Sequence, residues 1–200
     1  MTAFSVEDRR FMDVALAQAY GALGSTAPNP AVGCVVVQDG QVIAATATAP
    51  GGRPHAEPQA LSQAGAAAEG ADIYVSLEPC SHYGQTPPCA DALIAARPGA
   101  VIVACQDPFA EVDGRGLARL TNAAIPVRLG VREAEAIALN AGFFTVLRDK
   151  KAVAIDDERS ALIDAELEQL KGESEADALA RAADQGLTRV RLVNPLATGR

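Results

Sequence analysis

Between Ile73 and Cys105 the chain reads IYVSLEPCSHYGQTPPCADALIAARPGAVIVAC. Ile73 to Leu77 is a short β-branched and aromatic run that predicts a strand. Cys89 to Ala96 has the composition of a good helix, and Val101 to Cys105 is a continuous apolar run of the kind buried on both faces of a sheet. Strand, helix and strand in that order imply a layered α/β fold.

The flanks extend the pattern. Phe11, Met12, Ala15, Leu16 and Ala19 fall at the three-and-four spacing of an amphipathic helix from Val6 to about Gly21, with Ser5 as its N-cap. Thr26-Ala27-Pro28-Asn29-Pro30 holds two prolines and excludes a helix interior. Gly33 to Val37 then predicts a strand, Asp39-Gly40 a tight hairpin turn, and Gln41 to Ala47 the returning strand. Pro54 suits the first turn of a helix over His55 to Ala67. Downstream, Gly116 to Ala123 and Glu133 to Asn140 read as helices, and Ile125 to Val127 as a short strand. Together these elements predict a three-layer α/β/α sandwich around a central mixed sheet of about five strands. The compact domain is expected over residues 1–148. Residues 149–200 turn acidic and alanine-rich, and predict a separate, partly helical appendage.

Composition narrows the function. Of 200 residues, 49% are hydrophobic, enough for a core without disulfide staples, and four cysteines with no secretory segment fit a reducing cytoplasm. No apolar run approaches the roughly eighteen residues of a membrane span. A net charge of −8 with no block of Lys or Arg argues against a nucleic-acid partner, whose phosphates demand clustered cations. A small-molecule substrate is expected instead. With only two histidines present, a site that uses His has few candidates.

Three stretches carry chemistry: Pro54-His55-Ala56-Glu57, Leu77-Glu78-Pro79-Cys80 and Thr86-Pro87-Pro88-Cys89, each placing a ligand type at or near a helix start. One His and two thiolates make the three-ligand set of a catalytic zinc, whose fourth position stays open for water. Helix N-termini favour the thiolate form that the metal needs. Glu57, two residues from His55, is placed to be the general acid and base rather than a ligand, carrying a proton from activated water to a departing amine. Zinc deaminases carry His-any-Glu followed by Pro-Cys, two residues and Cys; here eight residues separate Cys80 from Cys89. Cys34 and Cys105, inside apolar runs, read as small buried hydrophobes. Glu78 at a strand end reads as an anchor for backbone N–H groups.

That longer loop, Leu77 to Cys89, closely resembles the diaminohydroxyphosphoribosylaminopyrimidine deaminases of riboflavin biosynthesis. So do Pro28-Asn29-Pro30-Ala31-Val32-Gly33-Cys34, Gly52-Arg53-Pro54-His55-Ala56-Glu57, Ala90-Asp91-Ala92-Leu93-Ile94 and Leu139-Asn140-Ala141-Gly142-Phe143, so that the resemblance spans roughly residues 8 to 145. It implies a cytidine-deaminase-like fold and Zn2+. It also implies hydrolysis of the 2-amino group of 2,5-diamino-6-ribosylamino-4(3H)-pyrimidinone 5′-phosphate, and a homodimer or larger assembly. By the same resemblance Asn29, His82 and the segment around Asp107 contact the substrate, although His82 could serve only its own loop and Asn29 only its turn.

The chain departs from the family at three positions. Gln85 stands where a cation is usual, Thr48 where many relatives carry His, and Phe109 where a polar residue is usual. Residues 178–190 faintly resemble a helix-to-strand segment of the reductase that follows the deaminase in bifunctional members, a remnant that would leave reduction to a separate enzyme. Two alternatives follow: a related deaminase acting on another aminopyrimidine or purine base such as guanine or cytosine, and a catalytically silent zinc-binding relative. An intact Glu57 argues against the second, since a structural site has no use for a proton shuttle.

Overall fold

The structure is a computed structural model that describes residues 4–107, 114–156 and 162–193. Its first helix, α1 (Val6–Ala22), begins at a reciprocal cap. The Ser5 side chain accepts from the Asp8 backbone N–H, while the Asp8 carboxylate accepts from the Ser5 backbone N–H. Strands β1 (Gly33–Gln38) and β2 (Gln41–Ala47) form the hairpin expected around Asp39-Gly40, and α2 (Ala56–Ala64) follows with His55 as its N-cap. Strand β3 (Asp72–Val75), helix α3 (Cys89–Ala96) and strand β4 (Ala100–Val103) make the crossover unit. Helix α4 (Arg115–Asn122), strand β5 (Val127–Leu129), helix α5 (Glu133–Leu139) and helix α6 (Ala141–Asp149) complete this part of the chain.

The sheet order is β2-β1-β3-β4-β5, antiparallel through the first three strands and parallel through the last three. It is therefore mixed and five-stranded. Alternation along β1 separates the layers. A Cβ on Gly33 would lie 1.8 Å from the Ala15 carbonyl oxygen, so only glycine lets α1 come this close. Cys34, one residue on, points away from α1 and feels the charge of Glu57 on α2. Helix α1 packs with α5 on one face, and α2, α3 and α4 line up on the other. Val35, Val36, Ile73, Val75, Val101, Ile102 and Val103 fill the space between, all fully buried or nearly so.

Asp8 ties α1 to the far strand. Its carboxylate accepts from Arg128 (2.9 and 2.6 Å) and from the Tyr74 hydroxyl (3.1 Å), in addition to Ser5. Burial pushes the acid up, but these donors, Arg128 first, outweigh it and hold its pKa at about 2. Because the folded value lies below the unfolded one, the contribution is complete above about pH 5 and lost as pH falls through about 2. Asp8→Asn is expected to cost about 2 kcal/mol at neutral pH. The difference from the parent should shrink toward pH 2, as read by urea midpoints along a pH series.

The segment beyond α6 holds more than the expected helix. Strands β6 (Val153–Ala154) and β7 (Ala165–Glu168) flank β8 (Arg189–Val193), both parallel to it, and helix α7 (Glu175–Asp184) covers them through Ala178 and Ala182. Leu162 packs with Ala22, Leu23 and Ala31, which brings this unit against the start of the loop that carries Asn29.

Candidate active site

The ends of α2 and α3 that face the sheet's mixed edge meet around one point. His55 caps α2, Cys89 is the first residue of α3, and Cys80 lies on the loop after β3. Their ligand atoms lie within 4.8 Å of one another. His55 Nδ1 is 3.3 Å from Cys89 Sγ and 3.7 Å from Cys80 Sγ. A tetrahedral zinc with ordinary bond lengths requires N···S separations of about 3.6 Å. The donor set and its spacing fit Zn2+, and among the described residues no other group of His, Cys and acidic side chains does.

Charge points the same way. Cys80 is held at about 4, first by the hydrogen bond from the Cys89 thiol, then by His55 and the Cys89 backbone N–H, which donates to its sulfur at 3.2 Å. Cys89, facing that thiolate and Glu57 in a buried space, is pushed up. Glu57, 3% exposed, is raised to about 7 by burial first and the Cys80 thiolate second, with His55 opposing. Two thiolates and a carboxylate cannot all ionise together here without a cation among them.

His55, Glu57 and Cys80 floor a cavity of about 210 Å³ whose wall includes Asn29, Thr48, Arg53, His82, Asp107 and Phe143, while Cys89 lies outside its lining. Asn29 Nδ2 donates to the Gly52 carbonyl at 2.9 Å, and a Cβ on Gly52 (φ +83°) would fall 2.1 Å from that nitrogen, so glycine is required there. Thr48 reaches the wall, but its hydroxyl clamps the backbone of Val32, accepting from N–H at 3.0 Å and donating to C=O at 3.4 Å. Gln85 stands exposed on the 82–87 loop, outside the wall. Phe109 lies outside the described residues. Cys34 and Cys105 are buried away from the metal group, and burial raises Cys105 to about 12.

Glu78 anchors backbone as expected. Its carboxylate accepts from the N–H groups of Gly116 (2.9 Å), Gly114 (3.0 Å), Asp107 and Leu117 (both 3.3 Å), capping α4 from across the chain. Glu78→Gln turns one acceptor into a donor aimed at donors. It is expected to cost roughly 3 kcal/mol in urea unfolding, with zinc content retained.

Two residues of the site region were singled out only for resemblance. Asn140 pairs with the backbone of Ala31, accepting from its N–H (3.0 Å) and donating to its C=O (3.1 Å), which fixes the loop after Asn29. Arg53 enters the cavity wall. Neither role is readable from spacing, since the backbone partner of Asn140 lies 109 positions away.

Residues 5–105 match the family described as the cytidine and deoxycytidylate deaminase zinc-binding region. The chain belongs to this family. Among curated proteins it is similar to the riboflavin biosynthesis protein RibD of Aquifex aeolicus (strain VF5), 46% identical over 144 residues that make up 72% of this chain and 40% of that protein. The RibD of Escherichia coli (strain K12) is 48% identical over 143 residues, 72% of this chain and 39% of the relative. The chain thus spans about two fifths of the length of these relatives. Among solved structures, Acinetobacter baumannii RibD superposes with a TM-score of 0.80 at 27% identity, covering 94% of this chain and 80% of that one. At 94% of this chain, the structural match takes in most of the segment after α6 as well. The mixed five-stranded α/β/α sandwich expected from the strand and helix order, and the cytidine-deaminase-like fold that the resemblance implies, are both met in the fold shared with this neighbour. Among the described residues no helix is long and apolar enough to cross a membrane.

Proposed function

We propose that this deaminase-family protein hydrolyses the 2-amino group of 2,5-diamino-6-ribosylamino-4(3H)-pyrimidinone 5′-phosphate, releasing ammonia and leaving a carbonyl. The observation that carries the reading is the buried carboxyl of Glu57 beside His55 and Cys80 in the lining of a cavity, with Cys89 completing the metal group. RibD relatives at 46% and 48% identity support the pyrimidine substrate.

In this reading His55, Cys80 and Cys89 hold Zn2+, and when bound the metal supplies the Lewis acidity that makes water a nucleophile near neutral pH. Glu57 takes the proton of the attacking water and passes it to the amino nitrogen as the C–N bond breaks. The Asn29 amide and His82 orient the pyrimidine or its ribose phosphate, and Asp107 faces the same space. Leu77 and Phe143 give the ring an apolar wall and exclude bulk water. The same reading carries a cytoplasmic location, a homodimer or larger assembly, and a reductase as the next enzyme to meet the product.

Turnover in heavy-oxygen water tests the chemistry. Label is expected at the carbon that lost its amine, with one ammonia per label. Ammonia release without label would rule out direct hydrolysis.

A further inference from the structure

We propose that Arg53 takes the 5′-phosphate of the substrate and so selects a phosphorylated pyrimidine over a free base or nucleoside; this rests on the substrate reading above. The cavity is otherwise unsuited to an anion. Glu57, Glu78 and Asp107 lie in its wall, Val32, Leu77, Phe143 and Leu147 are apolar, and Arg53 is the one Lys or Arg among the described lining residues. A phosphate monoester carries close to two negative charges at neutral pH, so its favourable seat is on the Arg53 side.

Geometry places that side at the mouth. Arg53 Nη1 donates to Thr86 Oγ1 at 2.8 Å, and a Cβ built on Gly84 would lie 3.3 Å from Nη2, so the guanidinium leans on the exposed 82–87 loop. The reacting end of the cavity is the buried floor at Glu57. A substrate with its base on the floor and its sugar pointing out brings the phosphate to Arg53. The backbone beside Arg53 is fixed: the Gln59 side chain bonds the carbonyls of Pro54 and His55 (3.0 Å each) and Ala47 (2.7 Å). The bond to Thr86 uses one of five guanidinium N–H groups, and no carboxylate of the described residues pairs with Arg53. A planar fork with unspent donors suits bidentate contact with phosphate oxygens.

Neighbouring cations are less suited. Arg119 is held by Asp91 and by the Ser81 carbonyl. Arg115 stands exposed in an adjoining depression with Ser81 and His82, where solvent screens it.

The test compares kcat/KM for the phosphorylated diaminopyrimidine and its dephosphorylated form in the parent, Arg53→Gln, Arg53→Lys and Arg115→Gln. Titration calorimetry with ribose 5-phosphate on the zinc-loaded proteins runs beside it. Arg53→Gln is expected to lower the phosphorylated-to-dephosphorylated ratio by about 10- to 100-fold, through KM, and to weaken ribose 5-phosphate binding in parallel. Arg53→Lys should recover part of both. An unchanged ratio and unchanged ribose 5-phosphate affinity in Arg53→Gln, or the loss appearing in Arg115→Gln instead, would overturn the assignment. If the parent does not deaminate the phosphorylated compound, the substrate reading fails by itself and the titration alone decides Arg53. Binding lost in Arg53→Gln upholds it; binding absent from the parent, or surviving in the variant, overturns it.

Discussion

Replacing Glu57 by Gln is expected to lower kcat by roughly ten-thousand-fold while the protein keeps one zinc per chain and its fold. The size follows from two proton transfers through one carboxyl, each a step where a placed acid or base typically contributes 10²- to 10⁴-fold. Glutamine fills the same space and can neither take the proton of water nor give one to the amine. The fold should not suffer, because Glu57 is 3% exposed and its charge is opposed by burial and by the Cys80 thiolate. A neutral amide removes that opposition. Steady-state ammonia release, metal analysis and a urea midpoint on one preparation decide the matter. Zinc lost along with activity would make Glu57 a ligand rather than the proton carrier.

Replacing Cys89 by Ala is expected to weaken zinc binding by on the order of a thousand-fold or more and to abolish turnover with it. Cys89 is the first residue of α3 and 3% exposed, its sulfur 3.3 Å from His55 Nδ1. Removing it leaves His55 and Cys80 as a two-donor set, below the three protein ligands of a catalytic zinc. Cys105→Ala serves as the comparison, since Cys105 is equally buried yet outside the metal group. Dialysis against a competing chelator, followed by metal analysis, should strip Cys89→Ala and leave Cys105→Ala loaded. A Cys89→Ala protein that keeps its metal would remove Cys89 from the site.

Much of this molecule is legible where local chemistry and periodicity agree. Ser5 and Asp8 announce α1, Asp39-Gly40 the hairpin, and Val101 to Val103 a strand buried on both faces. The metal group is readable because His55 and Cys89 stand at helix starts as expected; Cys80, expected at or near one, lies instead in the loop after β3, well before α3 begins, and its sulfur accepts from the Cys89 N–H at that helix start. The fifth strand, expected at Ile125 to Val127, falls at Val127–Leu129, since Pro126 lacks an N–H and the apolar run ends before the pairing does.

The rest depends on partners that spacing does not reveal. Strand β7 reads Ala-Glu-Leu-Glu and β6 has two residues, so neither shows a strand's composition. They exist because β8 pairs with both. Asn140 separates α5 from α6, where the apolar and aromatic run through Phe143 and Phe144 obscures the break. Within the cavity, Thr48 is marked in sequence by the His it replaces, while the structure gives its hydroxyl to the Val32 backbone. Gln85 is marked by a missing cation, and the cation that the folded wall contains is Arg53.

The most direct test of the account is ammonia release by zinc-loaded protein from the phosphorylated diaminopyrimidine, set beside its dephosphorylated form, guanine and cytosine. The account predicts efficient turnover of the phosphorylated compound above the other three. Preference for guanine, cytosine or the dephosphorylated compound, or no turnover of any of them by protein holding stoichiometric zinc, would contradict it.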